Sequence, residues 1–246
     1  MPDPTVAALI LVSNDEYYLP YVLESIVGVF ERAVIYNVGS EDATSKIIDW
    51  WVDKEKDFTE CIVRHLPMCP PEVQICFRNS MIAEARTDCY WLLDGDEIND
   101  HVLKVPRLAL KLQSRHTANP RTRYGVVRRI EVSPNLRYRY EETRTHHRLY
   151  TRDAIWKGTH PGERPYYDQN WKTEIDFKDE VTVLHMHNAL RSSKEDVALK
   201  RVIRKKQRSY HPGKLIYFNI LKEYPILRKQ IEDWPMDPAL KELQDV

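Results

Sequence analysis

The two aspartates of Asp94-Gly95-Asp96 are the residues of this sequence best suited to bind a metal ion. Residues at i and i+2 of an extended chain point to the same side, so both carboxylates can face one cation. Their hard oxygens suit Mg²⁺ or Mn²⁺, and either ion can carry phosphate oxygens. An Asp-Gly pair is also a common turn. Here it directly follows the apolar run 90–93, which favours a metal-binding loop, with Asp96 exposed, at the end of a strand.

Two histidines, His185 and His187, have the same i, i+2 spacing in a predicted strand over 181–187. A neutral imidazole is a good third ligand for Mn²⁺ held by two carboxylates. We therefore expect at least one histidine to bind metal or diphosphate. The alternative is a hydrogen-bonded structural role, and the spacing does not choose between the two.

The elements that must position these residues alternate between strand and helix in the first 100 residues. Apolar runs predict strands at 6–12, 33–36, 60–65 and 90–93. Apolar residues at intervals of three and four predict helices over 18–30, from about 44, and over 74–85. This order implies a doubly wound, mainly parallel sheet with right-handed crossovers. Polar clusters that each follow a predicted strand should then meet at one edge, where such sheets bind ligands: 13–16, 37–44 and 94–97.

The second half of the chain has a different pattern. It predicts a helix at 103–115, half-exposed antiparallel strands at 124–132 and 137–140, and a basic helix from 192 to about 208. Beyond that helix, Pro212 and Pro225 interrupt a helical tail.

Composition limits the possible partners. Lysine plus arginine and aspartate plus glutamate each number 37, so no overall field favours nucleic acid or an anionic membrane. The four cysteines lack paired C-x-x-C spacing, which indicates reduced thiols in a cytoplasmic protein, with a structural zinc site as the alternative. The sequence has no run of about 18 apolar residues, so we expect at most peripheral membrane contact.

Four motifs in this order resemble those of the family 2 glycosyltransferases: Asn14-Asp15-Glu16, the segment 39–44 (GSEDAT), Arg78-Asn79 and the segment 93–97 (LDGDE). The resemblance covers roughly the first 100 residues, with scattered pieces beyond them. It implies an α/β fold of the GT-A type, which has a Rossmann-like, mainly parallel sheet, a smaller antiparallel acceptor subregion and C-terminal helices. We expect 1–102 to bind a nucleotide sugar, 103–190 to form the acceptor side and 191–246 to form a tail, within one compact domain.

The resemblance also implies a reaction. The family moves a sugar from a nucleoside-diphosphate sugar, here favoured as a UDP-sugar, to an acceptor that is an unknown carbohydrate, lipid or protein. The expected metal is Mn²⁺ or Mg²⁺ at Asp94, Asp96, His185 and His187. The residues expected to contact the donor are Ser13, Asn14, Asn37, Gly39, Arg78, Asp94, Gly95 and Lys200.

Three of these donor contacts have alternatives. Asn37 stands where the family usually has aspartate, so the side chain keeps a hydrogen-bond acceptor but loses the negative charge. The identity of the nucleobase is therefore left open. Arg78 could instead form a surface salt bridge. Lys200 belongs to a basic run that could neutralise diphosphate, rest on anionic lipid or form a solvated helix face.

An inverting transfer needs a base that deprotonates the acceptor hydroxyl, and Glu163 and Asp168 are the candidates. The nearby aromatic residues Tyr166, Tyr167 and Trp171 could pack on a sugar ring or cover a small core.

Three other functions fit the pattern less well. In haloacid-dehalogenase phosphatases the D-x-D also follows a buried strand, but Glu97-Ile98 replaces the expected small hydroxyl or valine. Nucleotidyltransferases have a glycine-rich loop after the first strand, whereas 13–16 contains no glycine. A nucleotide-sugar-binding protein without transfer chemistry stays open, because Asn37 and the base depart from the family pattern.

Overall fold

The computed structural model describes residues 3–57, 60–70, 72–141, 144–158, 164–166, 173–195, 214–228, 231 and 234–245. The strands in this part are β1 (Val6–Val12), β2 (Arg32–Val38), β3 (Glu60–Leu66), β4 (Cys89–Asp94), β5 (Glu97–Asp100), β6 (Thr122–Glu131), β7 (Tyr138–Tyr140), β8 (Arg144–Thr151), β9 (Ile155–Lys157), β10 (Arg164–Tyr166), β11 (Thr173–Asp176), β12 (Thr182–His185) and β13 (Leu215–Tyr217). The α-helices are α1 (Leu19–Glu24), α2 (Thr44–Glu55), α3 (Gln74–Ala85), α4 (Val105–Ala118), α5 (Ile220–Glu223) and α6 (Pro238–Gln244). Short 3₁₀ helices lie at Val102–Lys104 and Pro225–Arg228.

One large sheet organises the described residues. Its strand order is β3-β2-β1-β4-β8-β6-β12-β5, with β11 beside β6. The first four strands are parallel, β8 is antiparallel to both β4 and β6, and β12 is parallel to β6. The predicted α/β class is therefore confirmed: the sheet is mainly parallel, each of its antiparallel pairs includes a strand from the second half of the chain, and short helices follow near the C-terminus.

The apolar runs of β1, β2 and β4 form strands that are buried on both faces, as expected for a parallel sheet covered by helices. Alternate residues of β1 enter two different cores. Ile10 packs in the core that includes Trp51 of α2, whereas Leu9 packs in the core that includes Met81 of α3. The sheet is thus sandwiched between helices, and ligands have access to its edges.

The three predicted polar clusters do meet at the carboxyl edge of β1, β2 and β4. Strand register places Val12 opposite Asn37, and Leu11 opposite Asp94. Just beyond the strands, the amide of Asn14 donates a hydrogen bond of 2.9 Å to Ser40 Oγ. This edge therefore forms one continuous polar surface.

Several element boundaries differ from the sequence-based predictions. Helix α1 ends at Glu24, and Gly28 in the following turns has a φ of +71°. Helix α4 runs from 105 to 118 rather than 103 to 115, because Pro106 occupies its first turn, where a missing N–H costs nothing. Of the predicted strand 181–187, only Thr182–His185 forms a strand.

Three strands of the large sheet were not predicted, namely β5, β8 and β11. Strand β5 has four residues, too few for a periodic signal, and follows the aspartate loop directly. Strand β8 reads RTHHRLYT, a sequence too polar to suggest a central strand. Its Arg148 is nevertheless buried because it pairs with the buried carboxylate of Glu97.

Within the described residues, no helix is both long enough and apolar enough to cross a bilayer. All four cysteines are free thiols.

We expect Ile35→Ala to lower the free energy of unfolding by about 2–5 kcal/mol, because the Ile35 side chain is fully buried and its removal leaves a cavity. Leu103→Ala is the matched control, since Leu103 is 77% exposed, and it should change stability by about 0.5 kcal/mol or less. Urea unfolding followed by circular dichroism measures both. Equal losses in the two variants would contradict the assignment of β2 to the core.

Candidate functional site

A cleft of about 670 Å³ opens at the carboxyl edge of the parallel strands. It extends from the ends of β1 and β2, past the aspartate loop, to β6, β8 and β12. Its polar walls combine carboxylates, arginines and histidines: Asp15, Asp94, Asp96, Arg78, Arg129, Arg148, Arg191, His146, His147, His185 and His187. The volume lies within the range of small-molecule sites.

Gly95 is required by close packing between the first loop and the aspartate loop. A Cβ at Gly95 would lie 2.5 Å from Asp15 Oδ2 and 2.7 Å from Val12 Cγ1. The same Asp15 oxygen accepts a hydrogen bond of 3.0 Å from the Ser13 amide. The glycine between the two aspartates therefore lets the strand ends approach each other closely.

Asp94 lies between two arginines. Its Oδ1 is 3.3 Å from Arg78 and its Oδ2 is 3.3 Å from Arg148. Burial and the neighbouring Glu97 raise the pKa of Asp94, but the two guanidinium groups outweigh them and hold it below its usual value. Asp94 is consequently ionised and faces cations supplied by the protein.

Glu97 and Arg148 form a fully buried ion pair beneath this loop. Burial opposes ionisation of Glu97, but Arg148 and His146 outweigh it and lower the pKa of this carboxyl well below the usual range. Burial, aided by Arg148, lowers the pKa of His146 to about 4, so this imidazole is neutral at physiological pH. The pair anchors β8 to the aspartate loop.

Asp96, His185 and His187 form a group that could hold a metal ion. One ligand atom from each lies within 4.8 Å of the others. Two ligands bound at about 2.1 Å from one ion are at most about 4.2 Å apart, so the three groups would have to move closer together to hold an ion. One carboxylate and two imidazoles suit Mn²⁺ better than Mg²⁺, which prefers oxygen.

The two histidines face the same side, as predicted: their rings are stacked with centroids 5.3 Å apart. His185 Nδ1 lies 2.9 Å from Glu131 Oε2, and its Nε2 lies 3.8 Å from Asp96 Oδ1. Burial lowers the pKa of His185, but Asp96 and Glu131 outweigh burial and raise it. A carboxylate on one ring nitrogen that leaves the other for a metal is the usual arrangement of metal-binding histidines.

Asp96 is buried, with 2% of its surface exposed, and the expectation of an exposed loop carboxylate is wrong. Arg191 covers it, with Nη1 3.4 Å from Asp96 Oδ2 and 3.2 Å from Asp15 Oδ1. Burial raises the pKa of Asp15 to about 7; Arg191 opposes this shift, and Asp96 adds to it. Arg191 therefore bridges two adjacent carboxyl groups.

Glu16 connects three chain segments behind the cleft. Its carboxylate accepts hydrogen bonds from the Ala43 amide at 2.9 Å and from the Ser193 amide at 2.7 Å. The neighbouring Tyr17 amide donates to the Arg191 carbonyl at 3.0 Å. These bonds attach the segment that carries Arg191 to the loops after β1 and β2.

Asn37 is buried in a hydrogen-bond network. Its Nδ2 donates to Ser45 Oγ at 2.7 Å and contacts His65 Nδ1 at 3.1 Å, while Ser40 donates to its Oδ1. Because the amide donates, His65 Nδ1 is the acceptor, and its Nε2 faces Asp49. Both N–H groups of Asn37 are thus used within the protein.

Arg78 lies on the α3 side of the cleft, with its guanidinium carbon 5.2 Å from the centre of the Trp156 ring. The side chain of the next residue, Asn79, accepts from the Trp156 amide at 2.8 Å and donates to its carbonyl at 3.1 Å. Arg78 is buried rather than on the surface, so the surface salt bridge considered for it is wrong.

The other predicted contacts divide into two groups. Ser13 and Gly95 line the cleft, the Asn14 side chain accepts from the Glu41 amide, and Gly39 packs against Met68, a cleft residue. The remaining predicted residues lie outside the described residues: Glu163, Asp168, Lys200, Tyr167 and Trp171.

Sequence reasoning gave no role to several residues that line or support the cleft: Arg129, Arg148, Glu131, His147 and Trp156. The sequence signals were one scattered piece of the family resemblance at 146–150 and a run of charged and imidazole side chains in segments of strand-like length. Their convergence depends on the order of β8, β6 and β12, which no local pattern specifies.

No family model matches the chain, and no curated protein matches it. Among solved structures, it is similar to S. aureus TarS 1-349, with 15% identity, a TM-score of 0.42 and coverage of 62% of this chain and 50% of that chain. A structure of the same protein in complex with UDP-GlcNAc aligns with 16% identity and a TM-score of 0.37, covering 52% of this chain and 34% of that chain. The chain thus spans at most half of these TarS chains.

Another similar structure is glucosyl-3-phosphoglycerate synthase from Mycobacterium tuberculosis in complex with Mg²⁺ and UDP. It has 14% identity and a TM-score of 0.44, over 86% of this chain and 80% of that chain. These likenesses are loose, so the function proposed below rests on the residues of this chain.

We expect Arg148→Met to lower the free energy of unfolding by about 3–5 kcal/mol, because it leaves the buried Glu97 without its cation. Arg128→Met is the matched control, since its partner Asp179 is 93% exposed, and should cost about 1 kcal/mol or less. Chemical unfolding of both variants measures the difference. Similar small losses would show that the buried pair does not anchor β8.

Proposed function

We propose that this protein is a metal-dependent glycosyltransferase that moves a sugar from a nucleoside-diphosphate sugar, with UDP as the favoured nucleotide, to an acceptor. The main support is the group of Asp96, His185 and His187 beside arginines at the carboxyl edge of a parallel sheet. The motifs that resemble family 2 glycosyltransferases converge on this same edge. The GT-A type of fold and the inverting outcome belong to this proposal.

The metal residues in this proposal are Asp96, His185 and His187, with Glu131 orienting His185. A bound Mn²⁺ or Mg²⁺ would neutralise charge that develops on the departing diphosphate. Asp94 was also predicted as a metal ligand, but each of its carboxylate oxygens contacts an arginine. Its proposed role is therefore to orient Arg78 and Arg148 and to accept a hydrogen bond from a hydroxyl group of the donor sugar.

Arginines on two sides of the cleft suit a phosphorylated ligand. A guanidinium group pairs with phosphate oxygens through two parallel hydrogen bonds and keeps its charge when buried. Arg191 stands next to the metal group, and Arg78 stands next to Asp94. Together they would hold the diphosphate across the loop 94–96.

The nucleoside is assigned to the end of the cleft formed by β1, β2 and Met68. Ser13, Asn14 and Gly39 shape this end, whereas Asn37 contributes through Ser40 and the loop it supports. Lys200 remains a proposed contact to phosphate. Glu163 and Asp168 are the residues that the sequence suggests as bases to deprotonate the acceptor hydroxyl.

A nucleotide-sugar-binding protein without transfer activity is the second candidate. It is favoured by the complete internal use of the Asn37 N–H groups, which departs from the family pattern. Release of UDP from UDP-sugars over long incubation with Mn²⁺ distinguishes the two functions, because only the transferase breaks the sugar–phosphate bond.

We expect UDP to raise the melting temperature more in Mn²⁺ than in chelator, because the metal carries much of the interaction with diphosphate. Differential scanning fluorimetry with UDP, GDP, CDP and dTDP, each with and without Mn²⁺, measures this. Equal stabilisation by UDP in chelator would contradict the metal bridge. A larger shift with GDP, CDP or dTDP than with UDP would change the assigned nucleobase.

We expect His187→Ala to abolish most of the Mn²⁺-dependent shift that UDP produces, because it removes one of three ligands. The control is His101→Ala, an exposed histidine 3.2 Å from Asp100, which should keep the full shift. His185→Ala should also lower stability without ligand, since Glu131 then loses a buried partner. Full metal-dependent binding by both cleft variants would place the ligands elsewhere.

A further inference from the structure

A β-bulge in β8 places consecutive side chains on the wall of the cleft. Gly125 of β6 pairs with Leu149, whereas the next residue, Val126, pairs with His147, so Arg148 is the extra residue. In a regular strand His147 and Arg148 would point to opposite faces. Here both line the cleft, and bulges beside functional sites commonly redirect side chains in this way.

Three contacts position His147. Its Nε2 lies 3.6 Å from Glu174 Oε2 on β11, and its ring centre lies 4.3 Å from that of Tyr124 on β6. Its backbone carbonyl accepts a hydrogen bond of 3.1 Å from the Tyr150 hydroxyl. The carboxylate favours a proton on Nε2, which leaves the lone pair of Nδ1 as the proton acceptor. The side chain is 40% exposed, so substrate can reach it.

The other histidines of the cleft are engaged differently. His146 lies 3.2 Å from Arg129 and 3.5 Å from Glu97, while His185 and His187 belong to the metal group. Among the described residues that line the cleft, His147 therefore best combines an exposed imidazole with a carboxylate that can stabilise its protonated form.

We propose that His147 is the general base of the transfer, with Glu174 as its positioning residue; this inference rests on the proposed function. The acceptor O–H bond breaks as its proton moves to His147 Nδ1. The electron pair that remains on the acceptor oxygen forms a bond to the anomeric carbon of the donor sugar. The bond from that carbon to the diphosphate oxygen breaks, and the nucleoside diphosphate leaves with the electron pair.

The charges around His147 agree with this role. Burial lowers the pKa of His147, Glu174 opposes this shift, and Arg148 adds to it, so the imidazole is neutral at pH 7 and can accept a proton. The groups that face it from the packed strands are Glu174, Tyr124 and Arg148. Because the base must be neutral, its contribution to the rate is lost as pH falls through its lowered pKa.

The test measures UDP release from UDP-glucose, UDP-galactose and UDP-GlcNAc in saturating Mn²⁺, with water as the acceptor, between about pH 5 and pH 9. We expect His147→Ala to lower kcat roughly 10²-fold or more near neutral pH, and the ratio of wild-type to variant rates to shrink in acid. Added imidazole should restore part of the rate. Glu174→Gln should lower kcat by roughly tenfold and leave KM nearly unchanged.

His101→Ala is the matched control, as an exposed histidine paired with a carboxylate outside the cleft. The Mn²⁺-dependent shift produced by UDP should persist in His147→Ala.

A His147→Ala variant with the wild-type kcat and pH dependence would overturn the assignment of the general base and leave the proposed function unaffected. A wild-type protein that binds UDP with Mn²⁺ but releases none from any donor is a binding protein, and the assignment falls with the transfer. Absence of a Mn²⁺-dependent shift of the wild type with all four nucleotides, UDP, GDP, CDP and dTDP, would refute the proposed function itself.

Discussion

Acidic and basic groups that are buried or half-buried together at one sheet edge are the constraint on which the rest of the structure depends. A carboxylate removed from water is strongly unfavourable unless a cation and hydrogen bonds replace the water, so each needs a partner at a defined position. The structure meets this need by bringing arginines from separate elements onto the acids, and the pairs lock α3, β8 and the segment after β12 onto the strand ends. The groups involved are Asp15, Asp94, Asp96, Glu97, Glu131, Arg78, Arg129, Arg148 and Arg191.

This constraint explains which parts of the fold were predictable. The parallel strands β1, β2 and β4 are continuous apolar runs whose burial follows from hydrophobicity alone, so local pattern identifies them. Strand β8 is central yet largely polar, and its Arg148 is buried because Glu97 and Asp94 pair with it. A partner 51 residues away in sequence leaves no local signal. Strand β5 was missed because four residues cannot show a period.

The candidate site divides in the same way. Spacing was sufficient to place the aspartates on one edge and both histidine rings on one side. It could not separate the roles of Asp94 and Asp96, because that difference arises from Arg78, Arg148 and His185, which lie on three other elements. The Asn37 side chain likewise makes its internal hydrogen bond with His65 from the neighbouring strand, which no local pattern predicts.

The two hydrogen bonds accepted by Glu16 set the order in which the cleft can be completed during folding. One joins residues 27 apart in sequence and the other joins residues 177 apart. Contacts between distant parts of a chain form late, because closing a long loop costs conformational entropy before any contact can offset that cost. During synthesis β1 to β4 precede Arg191, His185 and His187, which lie near the end of the longer of the two loops that these bonds close. Asp15 and Asp96 therefore remain without Arg191 until the segment after β12 has been synthesised and docks.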